Sequence, residues 1–124
     1  MSKRVLIVDD EPNIVISVEF LMKREGFAVS VARDGAEALE RIRAERPDLV
    51  VLDVMMPKLN GFEVCQAVRA DPDLAGIPIV MLTAKGREAE MSKGLALGAD
   101  AYIAKPFSTR DLVARIKALL GEGA

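Results

Sequence analysis

Five polar residues that could take part in chemistry each stand at the end of a short apolar segment. They are the carboxylates Asp9, Asp10 and Asp53, the hydroxyl of Thr83 and the ammonium of Lys105. Three carboxylates held close together repel one another, so such a cluster is stable only if it takes up protons or binds a cation. Oxygen ligands at a partly solvated site favour Mg²⁺, or Mn²⁺ in its place. A carboxylate beside that metal can attack a phosphoryl group and form an aspartyl phosphate, whose oxygens the metal and a lysine neutralise.

These five residues converge only if the apolar segments form a parallel sheet. Short apolar runs alternate along the chain with longer segments of helical period, which is the βαβα pattern of an α/β protein whose sheet is covered on both faces. The carboxyl ends of parallel strands lie at one edge of such a sheet, where ligands bind. The predicted strands are residues 5–8, 27–31, 49–52, 79–82 and 101–104.

Five helices are predicted between and after these strands. Pro12 suits the first turn of the first helix, and Gly26 stops the apolar periodicity that follows it. The fourth helix, around residues 87–97, contains weak helix formers and is expected to be the least rigid. Capping pairs spaced three residues apart precede the second, third and fifth helices, and they are Asp34 with Glu37, Asn60 with Glu63, and Ser108 with Asp111.

The composition excludes several functional classes. The 124 residues are expected to form one domain over residues 1–121, followed by a disordered tail over residues 122–124. The absence of histidine excludes histidine acid/base catalysis and, because Cys65 is the only cysteine, zinc chemistry. The net charge of −2 comes from interspersed acids and bases, so no direct nucleic acid partner is expected. Without a membrane-length apolar run or a secretory signal, we expect no membrane partner and a cytoplasmic location.

Four segments resemble the signature segments of response-regulator receiver domains, the phosphorylation switches of two-component signalling. Their order and spacing match the family pattern over essentially the whole chain. The resemblance implies the flavodoxin-like strand order 2-1-3-4-5, for which the chemotaxis member of the family is an example, and this order places the first and third strands side by side. The segments are Val8-Asp9-Asp10-Glu11, Leu52-Asp53-Val54-Met55-Met56-Pro57, Leu82-Thr83-Ala84 and Lys105-Pro106-Phe107.

The resemblance implies a metal and phosphoacceptor site around the third strand. By the family pattern, Asp53 accepts the phosphoryl group. Asp10 is a direct Mg²⁺ ligand and Asp9 a ligand through water, and the backbone carbonyl of Met55 is a further ligand. A single Asp at a strand end is more often a turn former or a helix cap. The five-residue set taken together makes chance a poor explanation.

The resemblance also implies a set of residues that contact the phosphoryl group or move in response to it. Lys105 would contact the phosphoryl group, aimed by a cis peptide bond between Lys105 and Pro106. Thr83, with Ala84 after it in the signature segment, would move toward a phosphoryl oxygen, and Tyr102 would turn inward behind it. On its own, Tyr102 is equally a packing residue whose hydroxyl meets water. These movements would couple phosphorylation to the surface of the fourth helix, fifth strand and fifth helix.

Phosphoryl transfer to such a domain needs a partner that supplies a histidine. The resemblance implies a histidine kinase or a histidine phosphotransfer protein as the donor, and a chain that is not an enzyme but assists its own phosphorylation and dephosphorylation. Met55 and Lys85 bring no carboxylate or amide to position attacking water, so a persistent phosphate is expected. The switched surface would bind a downstream effector or a second copy through exposed charges. The candidate cross-pairing residues are Arg87, Glu90, Lys93, Asp100, Asp111 and Arg115.

Two other functional classes share this fold class. An aspartyl-nucleophile, Mg²⁺-dependent phosphatase would need an Asp-x-Asp pair near the first strand, where this chain has Asp9-Asp10-Glu11. A flavin-binding electron carrier would need a Ser/Thr/Gly-rich loop there, together with aromatic residues around the ring. The loop is acidic and aromatic residues make up only 4% of the chain, so both alternatives rank below the phosphoacceptor.

Overall fold

The computed structural model describes residues 3–54, 60–84, 98–105 and 107–121. Five strands form a single parallel sheet in the order β2-β1-β3-β4-β5. This order confirms the predicted flavodoxin-like α/β fold. The strands are β1 (Arg4–Val8), β2 (Ala28–Ala32), β3 (Leu49–Asp53), β4 (Ile79–Ala84) and β5 (Ala101–Lys105).

Helices cover both faces of the sheet. The described residues contain α1 (Pro12–Arg24), α2 (Gly35–Glu45), α3 (Gly61–Ala70) and a C-terminal helix (Thr109–Leu119). The fourth predicted helix, around residues 87–97, and the predicted tail, 122–124, lie outside the described residues. Within the part of the chain that is described, no helix has the length and apolarity needed to cross a membrane.

Two apolar cores, one on each face of the sheet, hold the layers together. Along β3 the buried side chains alternate between them: Leu49 and Val51 join the core with α1 and the C-terminal helix, whereas Val50 and Leu52 join the core with α2 and α3. Burial on both faces explains why β3 reads as a continuous apolar run. Cys65 is fully buried on α3, and burial raises the pKa of its thiol.

The predicted helix caps are present. The Asn60 side chain accepts from the backbone N–H of Glu63 at 2.9 Å, and the Glu63 carboxylate accepts from the backbone N–H of Asn60 at 3.1 Å, which completes a capping box. The other two caps are one-way: the Asp34 carboxylate accepts from the backbone N–H of Glu37 at 2.8 Å, and the Ser108 hydroxyl accepts from that of Asp111 at 3.3 Å. Each cap satisfies a donor that the first helical turn leaves unpaired.

Two helix C-termini differ from the expected pattern. The second strand begins after Phe27, not at it, because α1 ends in a left-handed turn at Gly26 (φ 91°) and the Phe27 N–H donates to the Met22 carbonyl at 3.0 Å. The α2 helix ends at Arg46, which takes the left-handed conformation (φ 47°) that glycine usually occupies. Pro47 then prevents the helix from continuing.

Arg69, at the end of α3, links the two segments that lead into β4 and β5, at the end of the sheet opposite the predicted site. Its guanidinium donates to the backbone carbonyls of Ala75, Ile77 and Gly98 at 2.7–2.9 Å and pairs with Asp100 at 2.8 Å. Asp100, one of the residues considered for cross-pairing in a dimer, is therefore engaged within the chain. This network fixes the backbone just before β4 and β5, and the C-terminal ends of these two strands carry candidate site residues.

Candidate functional site

The register of the sheet brings the predicted site residues to one edge. Val8 pairs with Leu52, so Asp9 and Asp53, the residues that follow them, lie at neighbouring strand ends. Across β4 and β5, Thr83 pairs with Ala104, and the next register position holds Lys105. The sequence prediction that these strands end together is confirmed.

The three predicted carboxylates form one cluster. Asp9, Asp10 and Asp53 each offer an oxygen, and these atoms all lie within 4.8 Å of one another. Asp9 is fully buried and Asp53 is 5% exposed, whereas Asp10 faces solvent. Oxygen-only donors with one solvated side are the ligand set that Mg²⁺ accepts while keeping part of its water shell. The donor chemistry of this cluster therefore fits a hard divalent cation.

Lys105 supplies the positive charge of the site. Its ammonium lies 3.1 Å from the Asp9 carboxylate, 3.4 Å from that of Asp53 and 3.5 Å from that of Glu11, and its side chain is only 16% exposed. Burial opposes the charged form, but the hydrogen bond that the ammonium donates to Asp9 and the charges of Asp53, Asp9 and Glu11 outweigh it and raise the pKa of Lys105. The lysine therefore stays charged at neutral pH.

The Asp9 carboxylate is held in a fixed orientation. One oxygen accepts from the backbone N–H of Glu11 at 2.9 Å, and the other accepts from the Lys105 ammonium at 3.1 Å. The exposed side chain of Glu11, for which no contact was predicted, also reaches the ammonium. Its position directly after the paired acids is the signal that could have suggested this contact.

The backbone that follows Asp53 is fixed from both sides. The Val54 N–H donates to the Leu82 carbonyl on β4 at 3.0 Å, and the Val54 carbonyl accepts from the Gly61 N–H, the first residue of α3, at 2.9 Å. Gly61 brings the start of α3 directly against the end of β3.

The predicted switch residues are partly described. Thr83 and Tyr102 are buried, and Tyr102 joins the core on the α2 and α3 face, with its hydroxyl shielded from water. Its alternative placement, with the hydroxyl in water, does not hold. Ala84 ends β4 opposite Lys105. The Met55 carbonyl and the Lys105–Pro106 peptide bond involve residues that lie outside the described ranges.

Comparison with known sequences places residues 5–117 in the family described as the response regulator receiver domain. Over 120 residues, 97% of the chain, it is 50% identical to the alkaline phosphatase synthesis transcriptional regulatory protein PhoP of Bacillus subtilis and 47% identical to the DNA-binding response regulator MtrA of Mycolicibacterium smegmatis. Those matches cover 49% and 51% of the relatives, so the chain spans about half the length of the curated proteins it matches.

Comparison with solved structures gives the same family. A putative response regulator from Chloroflexus aurantiacus superposes with a TM-score of 0.95 at 36% identity, covering 98% of this chain and all of that one. The receiver domain of the Pseudomonas aeruginosa sensor histidine kinase PA1611, which has a magnesium ion coordinated in its active site cleft, superposes with a TM-score of 0.90 at 26% identity, covering 98% and 100%. None of these matches favours the phosphatase alternative. The chain belongs to the response regulator receiver domain family of two-component signalling.

Proposed function

We propose that Asp53 of this chain accepts a phosphoryl group, with Mg²⁺ bound at the acidic cluster. The observation that carries the proposal is the environment of Asp53, a buried carboxylate at the end of β3 with its oxygen 3.4 Å from the Lys105 ammonium. It is the only one of the three clustered acids that closes the central strand, and Asp9 and Asp10 flank it with oxygens within 4.8 Å. Burial limits competing water, and the flanking acids supply metal ligands.

The transfer step follows from these positions. A carboxylate oxygen of Asp53 bonds to phosphorus while the bond from phosphorus to the donor's histidine nitrogen breaks, and the released imidazole takes up a proton. The product is an acyl phosphate on Asp53. Asp9, Asp10 and Asp53, with the Met55 carbonyl by resemblance, would hold Mg²⁺, which supplies charge for the phosphoryl oxygens. Lys105 is placed to supply a second cation to those oxygens.

The donor and the output follow from the family and from this chain's own residues. Because the chain has no histidine, the phosphorylated histidine must come from a histidine kinase or a phosphotransfer protein. The chain acts in this proposal as a signalling domain and not as an enzyme with a released product. The relatives are named as a transcriptional regulator and a DNA-binding regulator. We propose a similar output, in which Thr83 and Tyr102 transmit the phosphorylated state to a partner or a second copy along the face carrying β5 and the C-terminal helix.

Intact mass spectrometry tests the phosphoacceptor directly. After incubation with acetyl phosphate and Mg²⁺, we expect one phosphoryl adduct on the wild type, none on Asp53→Asn and none on the wild type with EDTA. Asp73→Asn, which removes an exposed acid from the loop after α3, is the matched control and should accept the group normally. Sedimentation of the same samples reports whether phosphorylation promotes self-association. An adduct retained by Asp53→Asn, or an unmodified wild type, would contradict the proposal.

A further inference from the structure

Gly61 places the start of α3 directly against the backbone of the candidate phosphoacceptor. A Cβ atom placed on Gly61 would lie 2.5 Å from the carbonyl oxygen of Asp53, 2.9 Å from the Cα of Val54 and 3.1 Å from the carbonyl carbon of Asp53. All three are backbone atoms, which cannot rotate away as the end of a flexible side chain can. The first turn of α3 therefore rests on the peptide unit that joins Asp53 to Val54.

Glycine is needed at this position because there is no room for a side chain, and not because the backbone conformation requires it. Gly61 is the first residue of α3, and it is not among the described glycines with positive φ, which are Gly26, Gly98 and Gly121. Alanine could adopt the same backbone conformation and is the better helix former. A substitution by alanine thus isolates one effect, the separation of α3 from the end of β3.

The separation would move the groups that must meet during phosphoryl transfer. Non-bonded carbon and oxygen atoms do not approach to 2.5 Å, so α3 and the strand end would have to move apart by about half an ångström or more. Val54 is held to β4 through Leu82 and to α3 through Gly61, so the displacement would stretch at least one of these two hydrogen bonds. Asp53 lies in the same peptide unit.

We infer that Gly61 is a positioning residue for phosphoryl transfer, because the lack of a side chain lets α3 fix the backbone of Asp53 against Asp9, Asp10 and Lys105. This inference rests on the proposed function of Asp53. Misplacement of a reacting group by a fraction of an ångström to one ångström is enough to lower a rate by one to two orders of magnitude. The same displacement would spread the carboxylate oxygens that form the metal cluster.

The test compares Gly61→Ala with two controls. Gly76→Ala adds the same methyl group in the loop after α3, where no atom lies within 4 Å of the new Cβ. Ile116→Val trims a fully buried side chain of the C-terminal helix, so it lowers stability far from the site. For each protein, phosphorylation rate by acetyl phosphate is measured by intact mass, Mg²⁺ affinity by calorimetry, and folded fraction by urea unfolding.

We expect Gly61→Ala to remain folded, to be phosphorylated at least tenfold more slowly at saturating Mg²⁺, and to bind Mg²⁺ at least threefold more weakly, with both controls within twofold of the wild type. A Gly61→Ala protein within twofold of the wild type in both measurements would overturn the inference. So would an equal loss in Ile116→Val, since stability alone would then explain it. A wild type that takes no phosphate would refute the proposed function, and the Mg²⁺ affinities would still decide whether Gly61 positions the cluster.

Discussion

Replacing Lys105 by methionine tests how the acidic cluster is held without metal. The side chain keeps its apolar stem but loses the ammonium that lies 3.1–3.5 Å from three carboxylates. At an effective dielectric constant of about 20, each contact with the buried carboxylates of Asp9 and Asp53 is worth roughly 5 kcal/mol before desolvation is subtracted. Removal of one partner from a buried pair costs about 3–5 kcal/mol. The Glu11 contact is exposed and adds at most about 1 kcal/mol.

We therefore expect Lys105→Met to lower the free energy of unfolding by about 2–3 kcal/mol in EDTA, since the lysine is itself partly solvated. In saturating Mg²⁺ the difference in free energy of unfolding between the wild type and Lys105→Met should shrink by about 1 kcal/mol or more. The bound ion then compensates the charge of the carboxylates, and in the variant it no longer competes with the ammonium for Asp9. Urea unfolding followed by circular dichroism measures both values. Lys23→Met, which removes an exposed ammonium 3.0 Å from Glu19, is the control and should change stability by no more than about 0.5 kcal/mol.

Two results would refute this reasoning about Lys105. A Lys105→Met protein as stable as the wild type in EDTA would mean that the acids are held by protons or by water and not by the ammonium. A deficit that is equal with and without Mg²⁺ would mean that the ion does not take over charge compensation from the ammonium. Either result would contradict this electrostatic account of the site.

Two further predictions concern stability. Arg69→Met should lower the free energy of unfolding by about 2–4 kcal/mol in urea, because it leaves three backbone carbonyls without their donor and removes the charge that pairs with Asp100. Arg46→Met, which loses only an exposed pair at 3.9 Å, should cost no more than about 0.5 kcal/mol. Equal effects would contradict the assigned role of Arg69. The raised pKa of Lys105 should stabilise the fold fully below the unfolded lysine value of about 10.4, and that stabilisation should be lost as pH rises through the folded pKa. Unfolding of the wild type and Lys105→Met should therefore converge in alkaline solution, and a constant difference there would argue against it.

The sequence predicted the features that depend on local pattern. The strand ends that carry Asp9, Asp53 and Lys105 follow from apolar runs whose length and composition suit buried parallel strands. The caps at Asn60 and Ser108 follow from a spacing that matches the free donors of a first helical turn. In each case the physical cause acts within a few residues, so the sequence alone contains it.

Other features depend on contacts between residues distant along the chain. Arg69 reaches Gly98 and Asp100, which lie 29 and 31 residues away, and nothing in the local sequence distinguishes it from a solvated arginine. The steric role of Gly61 appears only when α3 is packed against β3. The left-handed cap at Arg46 runs against the usual preference for glycine. Tertiary packing decides all three.

The alternation of side chains along β3 links the chemistry of the site to its apolar packing. Leu49 and Val51 face one core, Val50 and Leu52 face the other, and Asp53 is the next residue in the same strand. A slip of one residue in the pairing of β3 would exchange its side chains between the two cores and turn the carboxylate to the wrong face. A misregistered molecule would thus lose its apolar packing and its acidic cluster together. A chain that has folded with the wrong register is therefore both less stable and unable to receive a phosphate. Correct pairing of β3 is a shared requirement of stability and of phosphorylation.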